Sequence, residues 1–152
     1  MRLVASFLIT AGLMFGQASN IAAVGVSYNP GGSPKVAGTG LWARLVAGNG
    51  TYAFTVVDAL PASVQPFVVT TNIGAGIAQK VFTIKGVDIL VPTSAGVSWT
   101  GTNLGWAWNS GGMAAFKVGE FRILPNVRFL KSSVGNGAGY QVVAGCLFGW
   151  GW

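Results

Sequence analysis

Histidine is missing from the 152-residue sequence, and cysteine occurs once, as Cys146. The lack of histidine removes the most common general base, the most common metal ligand and any Ser-His-Asp triad. A single cysteine cannot form a disulfide within the chain, and three acidic residues provide too few ligands for a zinc or calcium site. The sequence therefore predicts a protein that is not an enzyme and that uses no metal or other cofactor.

Charge is also scarce, because charged residues make up 8% of the chain and hydrophobic residues 51%. Low charge with high apolar content excludes an intrinsically disordered chain and does not suit the surface of an ordinary soluble domain. The net charge of +6 comes from lysines and arginines that are scattered singly. Proteins that bind nucleic acids cluster these residues in a patch or stripe, so we expect no nucleic-acid partner.

The N-terminal residues have the pattern of a secretory signal peptide. Arg2 supplies a positive charge, residues 3–15 form an apolar run, and small residues suited to cleavage follow. The run is shorter than the roughly 20 residues of a membrane-spanning helix, although an uncleaved anchor or a core helix is the alternative. We predict a signal peptide at 1–23, an irregular extended lead-in at 24–37 and a folded domain at 38–152.

Beyond the lead-in, turn-forming residues separate short runs of β-branched and aromatic residues, which is typical of strands. Asn49-Gly50 is the strongest hairpin signal, and Pro92–Gly96 and Asn109–Gly112 are also predicted as turns. The pattern predicts eight strands, an even number that places both chain ends on the same side of a membrane. The predicted strands are 38–47, 51–60, 67–74, 80–91, 97–108, 113–119, 121–131 and 140–152.

The last predicted strand alternates between two kinds of residue. One row is apolar or aromatic at every position from Tyr140 to Trp152, and the row between is smaller and more mixed. Aromatic residues at both ends of an apolar row match a lipid-facing stripe that meets an interface girdle at each end. An exposed strand this apolar would be an aggregation hazard in water, which favours a membrane environment.

This strand resembles the C-terminal strand of outer-membrane β-barrel proteins, and the strand count resembles their small eight-stranded, porin-like members. The resemblance implies an all-β, antiparallel, up-and-down transmembrane barrel in the bacterial outer membrane, preceded by a cleavable signal peptide. It implies outer-membrane lipid and the barrel assembly machinery as partners, with Phe148, Trp150 and Trp152 as the assembly signal. The alternative is a secreted soluble β-sandwich or barrel that acts as a surface-binding module.

Alternation in the other strands divides side chains between the lipid and the barrel interior. We expect Tyr52, Phe54 and Val56 to face lipid. A charge facing lipid costs about 2–4 kcal/mol at the bilayer midplane, so the charged residues are predicted to point inward. A bulge at Gly86 would bring Asp88 inside. The predicted interior charges are Arg44, Lys85, Asp88, Lys117, Arg122 and Arg128.

These interior charges have two interpretations. They form either a basic constriction that binds a small anionic ligand or a salt-bridge network that plugs the barrel, and the narrow lumen of eight strands favours the plug. Aromatic residues are predicted at the membrane interfaces, and a binding platform of tryptophans is the alternative. The predicted interface aromatics are Tyr52, Trp99, Trp106, Trp108, Tyr140 and Trp150. The function predicted is that of a small integral outer-membrane barrel with a structural, adhesive or narrow-pore role.

Overall fold

The computed structural model describes residues 20–30, 35–64, 67–134 and 139–151. Each strand pairs antiparallel with the next, and the last strand pairs with the first, so the sheet closes into a barrel. Within the described ranges, no helix is long and apolar enough to cross a membrane. The strands are β1 (Asn20–Tyr28), β2 (Val36–Ala47), β3 (Thr51–Val64), β4 (Phe67–Ile84), β5 (Val87–Thr100), β6 (Asn103–Val118), β7 (Phe121–Ser132) and β8 (Gly139–Gly151).

The predicted all-β barrel of eight antiparallel strands is confirmed. One end, here called the turn end, carries the short β2–β3, β4–β5 and β6–β7 connections, together with Asn20 and Gly151. The opposite end, here called the loop end, carries the other connections. Short turns on the side of the chain termini are typical of outer-membrane barrels, whose turns lie in the periplasm.

The barrel begins at Asn20, and the prediction that it begins at residue 38 is wrong. β1 pairs with β2 on one side and with β8 on the other, so it closes the sheet. It contains residues 20–23 of the predicted signal peptide and 24–28 of the predicted lead-in. Its small residues made the alternation weak, and the turn chemistry after Tyr28 obscured the strand. Residues 1–19 lie outside the described residues, so the signal peptide stays a prediction.

Two of the predicted turns lie inside strands. Pro92–Gly96 belongs to β5 and Asn109–Gly112 to β6. The chain turns instead at Lys85-Gly86, where both residues have positive φ, and at Gly101. The predicted strand 67–74 therefore lies within β4, and the predicted strand 80–91 spans the turn between β4 and β5. The bulge proposed at Gly86 is wrong, because Gly86 belongs to this turn.

Glycine and proline have other roles inside these strands. A Cβ atom at Gly96 would lie 1.9 Å from the Ile73 carbonyl oxygen, so this glycine allows close contact between β4 and β5. Proline cannot donate a hydrogen bond to a neighbouring strand. The β5–β6 pairing is accordingly interrupted at Pro92, and the β6–β7 pairing at Pro125. Composition alone does not distinguish these uses from turns.

Candidate functional site

The inward-facing side chains toward the turn end form an apolar layer. It includes Leu41, Phe54, Val56, Leu124 and Leu147, all buried. A cavity of about 10 Å³ remains among these side chains, which is about the space of one water molecule. The turn-end half of the lumen is therefore filled by side chains.

A buried ion pair joins opposite sides of the barrel next to this layer. Arg128 on β7 is 4% exposed and Asp58 on β3 is 1% exposed. The Arg128 Nη2 atom donates to Asp58 Oδ1 at 2.8 Å, and Nη1 donates to Oδ2 at 3.1 Å. Since β7 and β3 are not neighbours in the sheet, this two-point contact crosses the lumen.

Neighbouring polar groups satisfy most of the remaining hydrogen-bonding capacity of the pair. The Arg128 Nε atom donates to Asn126 Oδ1 at 3.1 Å, and Nη2 also donates to Thr39 Oγ1 at 3.1 Å. The Thr39 hydroxyl in turn donates to Asp58 Oδ1 at 2.7 Å. A buried ion pair is tolerated when its geometry is good and its other polar atoms are hydrogen-bonded, as they are here. The network ties β2, β3 and β7 together across the lumen.

The outer surface is apolar over most of the barrel. Large apolar side chains are exposed on β1, β2 and on every strand from β4 to β8. Val127 and Phe129 are about half exposed, whereas Arg128 between them is buried. Apolar side chains therefore cover the outer surface while the charged network faces inward, which is unlike the surface of a soluble protein and typical of a barrel in lipid.

No protein-family model and no curated protein matches the sequence. The structure is similar to a de novo designed transmembrane β-barrel, with 13% identity, a TM-score of 0.53 and coverage of 86% of this chain and 94% of that one. It is also similar to Ail, the attachment invasion locus protein of Yersinia pestis, solved in complex with the heparin analogue sucrose octasulfate. That match has 10% identity, a TM-score of 0.51 and coverage of 90% of this chain and 99% of Ail. The fold is that of a small outer-membrane β-barrel.

A second structure of Ail gives 12% identity and a TM-score of 0.50, over 89% of this chain and 97% of Ail. With identities this low, the structural similarity establishes a shared fold and nothing further. The residues that could carry a function in this barrel must therefore be located in its own structure.

Four of the predicted interior charges lie on the inward rows of their strands. Arg128 lies in the lumen, and Asp88, Lys117 and Arg122 lie near the turn end, where Lys117 is exposed. Arg122 is half-buried and donates to the carbonyl oxygens of Gly119 and Phe121. Asp88 is half-buried, accepts a hydrogen bond from the Thr83 hydroxyl and lies 3.8 Å from Lys80 Nζ. Their binding roles stay predictions.

Arg44 and Lys85 do not lie inside, so their predicted placement is wrong. Arg44 belongs to the outward row of β2, beside Asn20 of β1 and Ala53 of β3. It lies near the turn end, where a long side chain can reach the headgroup region while its stem contacts lipid. Lys85 is exposed in the β4–β5 turn.

The outward placement of Tyr52, Phe54 and Val56 is also wrong. Phe54 and Val56 are buried inside, and Tyr52 packs against the same apolar layer. The outward row of β3 contains Thr51 and Thr55 and is less hydrophobic than the inward row, so hydrophobicity assigned the two faces the wrong way round. Asp58 indicates the correct face, because it shares the row of Phe54 and Val56 and its charge cannot face lipid near the midplane. Sequence reasoning missed Asp58 as a site residue because the predicted strand 51–60 ends just after it, which placed Asp58 near a turn.

The other predicted interface aromatics lie on the outward rows, while Tyr52 lies inside. Near the turn end, Trp150 contacts the Phe121 ring edge to face, with 4.9 Å between the ring centroids. Near the loop end, Lys131 Nζ lies 4.5 Å from the Tyr140 ring centroid and 5.5 Å from that of Trp106. Trp99, Trp106, Trp108 and Tyr140 are on strand segments toward the loop end. Trp152 lies outside the described residues, so its role in assembly stays a prediction.

Unpartnered amides are also buried in the lumen. Asn72 on β4 is 3% exposed, and neither of its side-chain polar atoms has a hydrogen-bond partner among the described residues. Asn109 donates to Ser94 Oγ at 2.7 Å, but its own carbonyl oxygen is unpartnered. Buried polar atoms of this kind usually bind water, so the polar half of the lumen is expected to be hydrated.

Proposed function

We propose that the chain is an integral protein of the bacterial outer membrane whose barrel is closed to solutes and has a structural or adhesive role. The apolar outer surface supports membrane insertion, because a soluble protein rarely exposes so large an apolar area. The Arg128–Asp58 pair is the observation that carries the closed state, since it crosses the lumen beside a filled apolar layer. We therefore favour this role over a narrow pore.

The chemistry of the chain supports a role without catalysis. It has no histidine, and the described residues contain no group of three or more histidine, cysteine or acidic side chains that could hold a metal ion. The partners proposed are outer-membrane lipid and the barrel assembly machinery, which reads the C-terminal aromatic residues in barrels of this type. The secreted soluble module is the competing function.

Purified barrel refolded into detergent should migrate differently on a gel before and after boiling, because folded barrels resist detergent. In planar bilayers it should show no steady conductance, since the ion pair and the apolar layer fill the lumen. A steady anion-selective current would show that the lumen is open and would favour the pore. A chain that stays folded and monomeric in buffer without detergent would favour the soluble module.

The adhesive role has support at the loop end. Lys131 is near this end and stacks against Tyr140, while Lys35 is exposed in the β1–β2 connection. The structurally similar Ail was solved with a sulfated heparin analogue, and lysines at the loop end suit the same anionic chemistry. We propose a sulfated or phosphorylated saccharide as the small anionic ligand.

Lys131→Gln should weaken binding of sucrose octasulfate about two- to fivefold, because it removes one partly exposed charge at the loop end. Lys85→Gln is the matched control, since it removes an exposed lysine at the opposite end and should leave binding unchanged. Isothermal titration calorimetry on the detergent-solubilised barrel measures both. Equal weakening by the two substitutions would indicate general attraction to a basic protein and would contradict a loop-end site.

A further inference from the structure

Two cations face each other at the turn-end mouth of the barrel. Lys117 of β6 and Arg122 of β7 are direct cross-strand partners, and they form the last inward pair before the β6–β7 turn. Lys117 shares its inward row with Met113 and Arg122 shares its inward row with Leu124, and both of these apolar residues are buried in the apolar layer. Like charges at directly opposed positions of an antiparallel sheet repel each other, so this pair is destabilising unless an anion neutralises it.

Neither cation forms an ion pair with another described residue. At the same end of the barrel, Asp88 is engaged by Lys80, with 3.8 Å between Oδ1 and Nζ. Within the described ranges, Glu120 in the β6–β7 turn forms no ion pair either. Lys117 is exposed and Arg122 is half-buried, so an anion in solution has access to both side chains.

The backbone holds the Arg122 guanidinium in one orientation. Its Nη1 atom donates to the Phe121 carbonyl oxygen at 3.0 Å and to the Gly119 carbonyl oxygen at 3.2 Å. The guanidinium also lies against Gly151, where an added Cβ atom would be 3.0 Å from Arg122 Cζ. The Nε and Nη2 atoms donate to no other residue in the described part of the chain. Their N–H groups form the planar fork that matches two oxygens of one oxyanion.

We propose that Arg122 and Lys117 bind a phosphate group at the turn-end mouth. Two phosphate oxygens accept from the Nε and Nη2 atoms of Arg122, and a third oxygen accepts from the Lys117 ammonium. A phosphate suits this pair better than a carboxylate, because it offers three acceptor oxygens and up to two negative charges to two cations. A soluble phosphate and a lipid headgroup that reaches over the rim offer this same chemistry. The site goes beyond the proposed function, because it lies at the opposite end from the saccharide site.

The test titrates the barrel, refolded in a detergent that carries no phosphate, with inorganic phosphate at constant ionic strength. Proton–nitrogen correlation NMR follows the Nε–H signal of Arg122, which should shift and saturate as the fork is occupied. The Arg128 Nε–H signal is the internal control, because this group is buried and donates to Asn126 Oδ1, so it should not move. The gel shift on boiling is recorded for every variant, so failure of the phosphate site in a folded barrel is distinct from failure of the membrane-spanning function.

Lys117→Gln should weaken phosphate binding about fivefold, because it removes one of the two charges. Arg122→Lys keeps the charge but loses the fork, so it should also weaken binding about fivefold, measured on the backbone amide signals of the β6–β7 turn. Lys85→Gln is the matched control, because it removes an exposed lysine at the same end, in the β4–β5 turn, and should leave phosphate binding unchanged.

A second titration uses mixed micelles that contain dioleoyl phosphatidylglycerol, with dioleoylglycerol as the lipid that lacks phosphate. A saturable Arg122 shift with inorganic phosphate supports a soluble ligand, and a shift with phosphatidylglycerol alone supports a lipid headgroup. Equal weakening by Lys117→Gln and Lys85→Gln, or an equal shift with chloride, would indicate general attraction to a basic protein and would overturn the site. The absence of a saturable shift with either source, or an equal shift with dioleoylglycerol, would overturn phosphate recognition.

Discussion

Asp58→Ala is expected to destabilise the barrel by about 3–5 kcal/mol, because it leaves the Arg128 guanidinium buried without its counterion. Both partners are almost completely buried, so water cannot readily replace the lost carboxylate. Urea unfolding of the barrel in lipid vesicles, followed by tryptophan fluorescence, measures the change. Asp88→Ala is the control, because this carboxylate lies at the turn end with a 3.8 Å contact to Lys80 and should contribute no more than about 1 kcal/mol.

Removing both charges should be far less harmful than removing one. The double substitution Asp58→Leu with Arg128→Met should recover most of the stability lost in Asp58→Ala, since apolar residues of similar volume often replace a buried ion pair at little cost. If Asp58→Ala and Asp88→Ala prove equally mild, the two carboxylates share a solvated environment and the plug is absent. If the double substitution is as harmful as the single one, the pair contributes more than charge compensation.

Lysine on the outward row of β7 should also be costly. Val127→Lys and Phe129→Lys should each destabilise the barrel by about 2–4 kcal/mol near the midplane, because the ammonium would face lipid. Arg128→Lys keeps a cation beside Asp58 but loses the two-point hydrogen bonding, so it should cost less than Asp58→Ala. The same vesicle unfolding measurement applies to all three.

A soluble protein can also lose stability when lysine replaces an apolar residue, so accessibility provides the control. Spin labels placed singly at 127 and 129 should be accessible to oxygen dissolved in the bilayer and shielded from a water-soluble nickel relaxant. A label at the inward position Asn126 should be shielded from both. Equal access of the nickel reagent to 127 and 129 would show that β7 is not surrounded by lipid.

The C-terminal strand illustrates what could be predicted from local pattern. Its outward row was assigned correctly because every member is apolar or aromatic, and Tyr140, Val142, Phe148 and Trp150 are indeed exposed. The same reasoning placed Arg128 inside, because a charge between Val127 and Phe129 can only belong to the opposite row. Period-two alternation is a local property, so no knowledge of the partner strands was needed.

The prediction failed where the local pattern was weak or misleading. The more hydrophobic row of β3 packs in the apolar layer inside the barrel, so its faces were assigned the wrong way round. β1 combines small residues with a signal-like leader, so its part in closing the barrel was missed. Proline and glycine inside β5 and β6 were taken for turns, although they mark interrupted pairing or close backbone contact.

The sequence by itself determined the all-β class, the apolar outward row of the last strand and the absence of histidine. The predicted count of eight strands agrees with the structure, although the missed β1 and the misplaced turns offset each other. Only the tertiary structure decided that Arg128 pairs with Asp58, which lies 70 residues earlier. The physical reason is that side-chain alternation depends on the local backbone. The partner of a charge across the lumen depends instead on how the sheet closes, which requires the pairing of β8 with β1.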